Sequence, residues 1–219
     1  MKLAVFDCDG TLVDSQQNIL RAMAASFERL DLAPPAPDAV RRIVGLSLKE
    51  AAAALLPEAD ENTHQRLARE YRTAFQRLRA EASLHPEPLF DGIPALLEQL
   101  TADGFLLAVA TGKSDRGLDL CLRHHDLHRH FISLQTADRH PSKPHPSMLL
   151  QCLADAGADA HSACIIGDTA FDVHMGVAAG VRAIGVGWGY HPPAELLAAG
   201  AIGVADNADE LLELIRGRA

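Results

Sequence analysis

Lysine is scarce in this chain. Only four occur in 219 residues, Lys2, Lys49, Lys113 and Lys143, so a lysine in a polar loop stands out from background. Basic residues as a whole are outnumbered. The formal net charge of −9 argues against nonspecific nucleic-acid or membrane binding, which needs a basic surface. No apolar run reaches the ~20 residues of a membrane span, and no signal-peptide h-region opens the sequence. The four cysteines, Cys8, Cys121, Cys152 and Cys164, show no C-x-x-C spacing. They read as buried thiols of a reducing cytosol, and the chain as cytoplasmic. Aromatic residues make up 5% and hydrophobic residues 48%, an ordinary soluble composition. The length allows one large domain or two modest ones.

What is present begins close to the N-terminus. Leu3-Ala4-Val5-Phe6 is uncharged, apolar and short, the pattern of a buried parallel strand. Asp7 falls where that strand should end. Asp9, two residues on, projects to the same side in extended backbone while Cys8 points away. Gly10 then lets the chain leave with unusual dihedrals. Two neighbouring carboxylates repel and need a cation or a proton between them. Asp-x-Asp-Gly is also a common turn composition, so the pair alone leaves both readings open.

The apolar spacing of Ile19, Leu20, Met23, Phe27 and Leu30 predicts a helix over 16–30. The proline-rich run 33–37 breaks it, and Asp38 is expected to cap the next helix. Helices are predicted at 39–43, 48–56 and 61–82, with no strand among them. Residues 16–85 thus read as an all-α insert, large enough for a small subdomain. Residues 1–15 and 86–219 form the remainder. From Leu89 on, strands at 105–110, 131–134, 163–166 and 181–186 alternate with helices at 93–100, 115–122, 146–156, 171–179 and 194–199. Segments 202–204 and 208–215 close the chain. Such alternation predicts an α/β fold, a doubly wound, Rossmann-like parallel sheet.

The polar stretches then fall into place. Asp7, Thr111-Gly112-Lys113-Ser114 and Gly167-Asp168-Thr169-Ala170-Phe171-Asp172 each follow a strand, and ligands of such sheets bind outside the strands' carboxyl ends. Lys143, in Ser142-Lys143-Pro144-His145-Pro146, can reach the same edge from just before a helix. Asp7, Asp168 and Asp172 supply hard oxygen ligands suited to Mg²⁺. A carboxylate-held Mg²⁺ beside a lysine is a site for a phosphoryl group. Asp7 could attack phosphorus, and Asp9 could protonate the leaving oxygen and later deprotonate water.

The runs FDCDGTLVDS, VATGKS, SKPHP and IIGDTAFDV resemble, in order and spacing, the four motifs of the haloacid dehalogenase superfamily. The insert resembles the small α-helical cap of its phosphoglycolate phosphatase and β-phosphoglucomutase branch. The resemblance implies Asp7 as nucleophile and Asp9 as acid/base, with the Asp9 main-chain carbonyl also on Mg²⁺. It implies Thr111, Gly112 and Lys143 as phosphate-binding, Asp168 as metal-ligating, and Asp172 as a second acid of the metal loop. Lys113 and Asp14 acquire no role from it. The stretch 40–46 resembles the cap loop of phosphoglycolate phosphatases, in which Arg41 or Arg42 could bind a substrate carboxylate. The expected activity is Mg²⁺-dependent hydrolysis of a small, phosphoglycolate-like phosphate monoester, a phosphorylated metabolite, by a monomer or homodimer.

Other readings are weaker. Position 107 is Leu, so Gly112-Lys113-Ser114 lacks P-loop spacing. Gly185-Val186-Gly187-Trp188-Gly189 is followed by Tyr190 and reads as a strand-end loop near the site. The His/Arg cluster 123–130 lies at a helix end with no ligand partner from elsewhere. Asp9 disfavours a dehalogenase, and the phosphonate-cleaving branch replaces that residue too, with Lys49 the only cap lysine. A sugar-phosphate mutase of the β-phosphoglucomutase type keeps Asp9 and stays open. A non-enzymatic phospho-acceptor domain shares Asp, Thr and Lys around Mg²⁺, but Asp9 and the cap favour turnover.

Overall fold

The computed structural model describes residues 1–217; the last two residues of the expected core, 218 and 219, lie outside the described residues. In chain order the elements are β1 (Lys2–Phe6), α1 (Gln16–Glu28), α2 (Pro37–Arg41), α3 (Leu48–Leu55), α4 (Glu61–Ala80), α5 (Ile93–Ala102), β2 (Phe105–Thr111), α6 (Asp115–His124), β3 (Phe131–Thr136), α7 (Ser147–Ala156), β4 (Ala163–Gly167), α8 (Ala170–Ala179), β5 (Arg182–Val186), α9 (Pro193–Ala199), β6 (Val204–Ala205) and α10 (Ala208–Arg216). The six strands form one parallel sheet in the order β3-β2-β1-β4-β5-β6. This is the doubly wound architecture that the alternation predicts.

Both faces of β1 are buried, which is why Leu3–Phe6 shows no polar alternation. Leu3 and Val5 pack with Ala108, Met148, Ile165 and Met175 on one face. Ala4 and Phe6 pack with Leu97, Val109 and Ile166 on the other. The chain winds from β1 toward β3 in one direction and from β4 toward β6 in the other. The loops after β1 and β4 therefore diverge, leaving a crevice at the switch point. Phe6 sits in register with Val109 and Ile166, and the Asp7 N–H donates to the Ile166 carbonyl at 2.9 Å. That register delivers Asp7, Thr111 and Asp168 to one edge.

Helices α1–α4 lie between β1 and α5 and pack on one another, α4 against both α1 and α3. Their cluster contains Ile19, Met23, Phe27, Val40, Val44 and Leu67. In α4 the apolar positions Leu67, Ala68, Tyr71, Ala74, Phe75 and Leu78 recur every three or four residues, the stripe of an amphipathic helix. Its start is fixed by Asp60, whose side chain accepts from the Thr63 N–H at 2.8 Å.

Several boundaries shift for local reasons. Helix α2 begins at Pro37, ahead of the predicted 39–43, because proline presets φ for a first turn and has no N–H to lose there. Asp38, expected as its cap, lies inside that turn. Strand β2 continues through Thr111 because its ladder with β3 runs on to Thr136. The last strand is Val204–Ala205, paired with Gly185 and Val186, whereas the predicted strand residue Ile202 is 55% exposed.

Leu67 is 1% exposed at the centre of the helical cluster. Leu67→Ala should lower the unfolding free energy by about 2–5 kcal/mol in urea denaturation. A loss under about 1 kcal/mol would mean that the stripe contributes little to stability.

Candidate active site

Asp7 is the first residue beyond β1 and is 1% exposed. Lys143 Nζ stands 2.9 Å from its Oδ1, an ion pair by distance. The hydrogen bond of that ammonium, however, is aimed at Asp172 Oδ1, 2.6 Å away. Neither Asp7 oxygen accepts a hydrogen bond among the described residues. Burial pushes the Asp7 carboxyl up to about 6 against the pull of Lys143, and the charge of Asp172 adds to the rise. Burial works against charge on Lys143, but Asp172 and Asp7 more than offset it and hold the ammonium above the usual lysine range.

The other two acids come from the loop and helix after β4. Asp168 Oδ1 accepts from the Thr11 hydroxyl and Oδ2 from the Tyr190 N–H, each at 2.9 Å. Burial, then the charges of Asp7 and Asp172, lift its carboxyl well above the ordinary range. Gly10 makes this approach possible. Its φ is +83°, and a methyl there would stand 2.3 Å from Asp168 Oδ2. Asp172 lies in the first turn of α8, where its Oδ2 accepts from the Thr169 hydroxyl at 2.7 Å and the Thr169 N–H at 3.2 Å. With Oδ1 on Lys143, both of its oxygens are engaged.

Asp7, Asp168 and Asp172 offer carboxylate oxygens within 4.8 Å of one another, with a single ammonium, Lys143, paired to two of them. Three negative charges facing one positive charge leave an excess that a divalent cation would neutralise. The hard oxygen set and the Asp7 oxygens, which accept no hydrogen bond among the described residues, fit such an ion. Among the described residues this is the one acidic cluster of that kind. The His/Arg cluster 123–130 forms no such group.

Asp9 is nearly buried. Its Oδ1 accepts from the Ser15 hydroxyl and from Lys113 Nζ, each at 2.5 Å. Burial disfavours charge on Lys113, but Asp9 more than compensates and holds its ammonium well above the usual range. Thr111 Oγ1 accepts from the Lys113 N–H at 3.2 Å, which leaves its hydroxyl proton free to donate. Gly112 runs beneath the loop joining α2 and α3. A methyl on it would stand 2.7 Å from the Gly45 carbonyl oxygen and 2.8 Å from that of Leu46.

Asp7, Asp9, Thr111, Gly112 and Lys113 open on one cavity of about 1160 Å³ between α1–α4 and the sheet edge. Lys143, Asp168 and Asp172 lie buried behind Asp7. The structure does not bring Arg41 and Arg42 there. Arg41 donates to Gln16 Oε1 at 2.6 Å and pairs with Asp38 at 2.5 Å. Arg42 pairs with both oxygens of Glu195, on α9, at 2.6 and 2.7 Å. Both guanidinium groups are engaged with protein partners, and neither lines the cavity.

The first comparison settles the family. A model of the haloacid dehalogenase-like hydrolases matches residues 4–186. The chain belongs to that family. It is 36% identical to "Probable phosphatase IndB" of Dickeya dadantii, over 96% of this chain and 91% of that protein. It is 30% identical to the phosphoglycolate phosphatase of Aquifex aeolicus, over 87% and 86%. The crystal structure of a predicted phosphatase from Clostridium acetobutylicum superposes with a TM-score of 0.88 at 28% identity, covering 99% and 98% of the two chains. This hydrolase is a phosphoric monoester hydrolase of the phosphoglycolate phosphatase-like branch.

Lys113 has no role by resemblance, although its position in a lysine-poor chain is a usable signal. Ser15, which donates to Asp9, and the Tyr190 main chain, which fixes Asp168, are not among the residues that the sequence singles out.

Lys143→Met would leave Asp7 and Asp172 without their shared cation. Removing one partner from a buried ion pair costs about 3–5 kcal/mol. Urea denaturation in chelator should show a loss of that order. Unchanged stability would mean that the cluster does not depend on Lys143.

Proposed function

We propose that this hydrolase is a Mg²⁺-dependent phosphatase that cleaves small phosphate monoesters through an aspartyl-phosphate on Asp7. The observation that carries the proposal is the Asp7 carboxylate: buried, without a hydrogen bond, and opening on a cavity whose wall holds Asp9 and the donors Thr111 and Gly112. A carboxylate with free lone pairs is available to attack phosphorus, and its neighbours can hold the equatorial oxygens.

In the first step an Asp7 oxygen bonds to phosphorus and the bond to the ester oxygen breaks. Asp9 gives that oxygen a proton, because an alkoxide leaves poorly without one. In the second step Asp9, now ionised, takes a proton from water. The water oxygen bonds to phosphorus, the bond to Asp7 breaks, and phosphate departs. Thr111 and the Gly112 N–H orient the phosphoryl group, and Lys143 keeps Asp7 charged and aimed. Ser15 and Lys113 fix the position of the Asp9 carboxylate. Mg²⁺, held by Asp7, Asp168 and the main-chain carbonyl of Asp9, would supply positive charge against the phosphoryl oxygens. Asp172 keeps Lys143 and the first turn of α8 in place.

Residues 16–85 act in this reading as a cap over a core of 1–15 and 86–219, excluding water when closed. The cap touches the core through the Arg42–Glu195 pair and through the Ser47 N–H, which donates to Ser142 Oγ at 2.7 Å. The substrate is a phosphorylated metabolite, and the compartment is the cytoplasm, where four buried free thiols persist.

Phosphate release from p-nitrophenyl phosphate tests the metal assignment. Exhaustive chelation should abolish it, and added Mg²⁺ should restore it. Turnover that survives removal of divalent cations would contradict the proposal.

A further inference from the structure

The cavity is far larger than the phosphoryl site needs. Its volume of about 1160 Å³ exceeds the ~300–1,000 Å³ of ordinary ligand pockets, and a two-carbon leaving group would leave most of it to water. Its wall on the α1 and α4 side carries the apolar side chains Ile19, Met23, Tyr71 and Phe75 beside Asn18, Arg72, Gln76 and Arg79. Tyr71 and Phe75 stand one turn apart on one face of α4, with ring centroids 5.5 Å apart and planes tilted by 53°. Both side chains are partly buried against the α1–α4 cluster. The Tyr71 hydroxyl is pushed above its ordinary range by burial and then by the charge of Asp9, which sets this side chain within the field of the acid/base.

The lysines nearest the reacting acids are already paired. Lys113 is engaged by Asp9 at 2.5 Å, Lys143 by Asp7 and Asp172, and Glu87 also lines the cavity. A carboxylate two carbons from the ester oxygen would lie close to Asp9, so a cation to meet it would have to come from the arginines of the cavity wall, Arg72, Arg79, Arg116 and Arg123. Two of these, Arg72 and Arg79, are on α4. Arg72 lies 3.9 Å from Asp138, and Arg79 is eight residues beyond Tyr71, about 12 Å along the helix axis.

We propose that the cavity is a leaving-group site for a flat, largely apolar ring carried on an uncharged linkage to the phosphate, seated against Tyr71 and Phe75. The preferred substrates are then ring-bearing phosphate monoesters, nucleoside 5′-monophosphates or aryl-bearing esters, and not phosphoglycolate. The inference rests on the phosphatase reading above and replaces the phosphoglycolate-like substrate expected from the sequence. Aromatic side chains favour such a ring through both area and offset or edge contacts.

The test is a steady-state comparison in Mg²⁺ of a purine and a pyrimidine nucleoside 5′-monophosphate, 2-naphthyl phosphate, glycerol 3-phosphate and phosphoglycolate. At least one ring-bearing ester should exceed both ring-free esters in kcat/KM by tenfold or more, and the nucleotide and naphthyl arms show which kind of ring is preferred. Tyr71→Leu and Phe75→Leu keep an apolar side chain but remove the ring, and should reduce that advantage by about tenfold. A measurement on the unaltered protein stands beside them: the dephosphorylated ring product should inhibit competitively, and glycolate should not. Phosphoglycolate equal to or better than every ring-bearing ester, with phosphate still released from p-nitrophenyl phosphate, overturns the ring site and leaves the phosphatase reading standing. No phosphate release from any ester overturns both.

Discussion

Lys143 carries its ammonium into a space with no side-chain exposure and divides it between Asp7 and Asp172. Taking a charge out of water is costly, and the cost is offset only where the partners are close and well placed. That requirement ties three distant segments together. Asp7 has to end β1, Asp172 has to stand in the first turn of α8, and the loop before α7 has to bring Lys143 between them. The capping box at Thr169 makes the local structure of α8 and the position of the ammonium one constraint. The Asp7 carboxylate is thereby held beside the ammonium while it accepts no hydrogen bond among the described residues.

The sheet explains why these groups meet. Parallel strands in register end on one level, so residues just past β1, β2 and β4 become neighbours without being close in sequence. The opposite winding on either side of β1 opens the crevice there. The same edge has to admit a substrate, and α1–α4 lie over it with a partly apolar wall. In the proposed function, chemistry is supplied by strand ends and selection by helices that belong to a different cluster of packed residues.

Asp7, Asp168 and Lys143 were legible in the sequence because each is a polar residue set hard against an apolar strand or a helix start. The sheet was legible for the same reason, since strands such as Leu3–Phe6 and Ala163–Ile166 carry no polar interruption. The helical segment was legible as helices but not as a binding surface. Periodicity shows which face of α4 is apolar; it does not show that Tyr71 and Phe75 line a cavity. Arg41 and Arg42 illustrate the limit from the other side. Their placement is decided by Gln16, Asp38 and Glu195, and the last of these is 153 residues away in the chain. Lys113 was passed over because a lysine after a Thr-Gly pair has no local signature of its partner; Asp9 is 104 residues distant.

The central claim is that Asp7 becomes phosphorylated and that Asp9 moves the protons. Asp9→Asn keeps the side-chain shape but has no transferable proton, and loss of a general acid or base typically costs about 10²–10⁴-fold. A nitrophenolate leaves without that proton, so the first step survives while attack of water on the aspartyl-phosphate lacks its base. Asp9→Asn mixed with p-nitrophenyl phosphate and Mg²⁺ should release one equivalent of nitrophenol and stall. Mass spectrometry of the quenched protein should find phosphate on the peptide that holds Asp7, with Asp7→Asn showing neither burst nor adduct. Steady turnover of Asp9→Asn at the parental rate, with no phosphate on Asp7, would contradict the account.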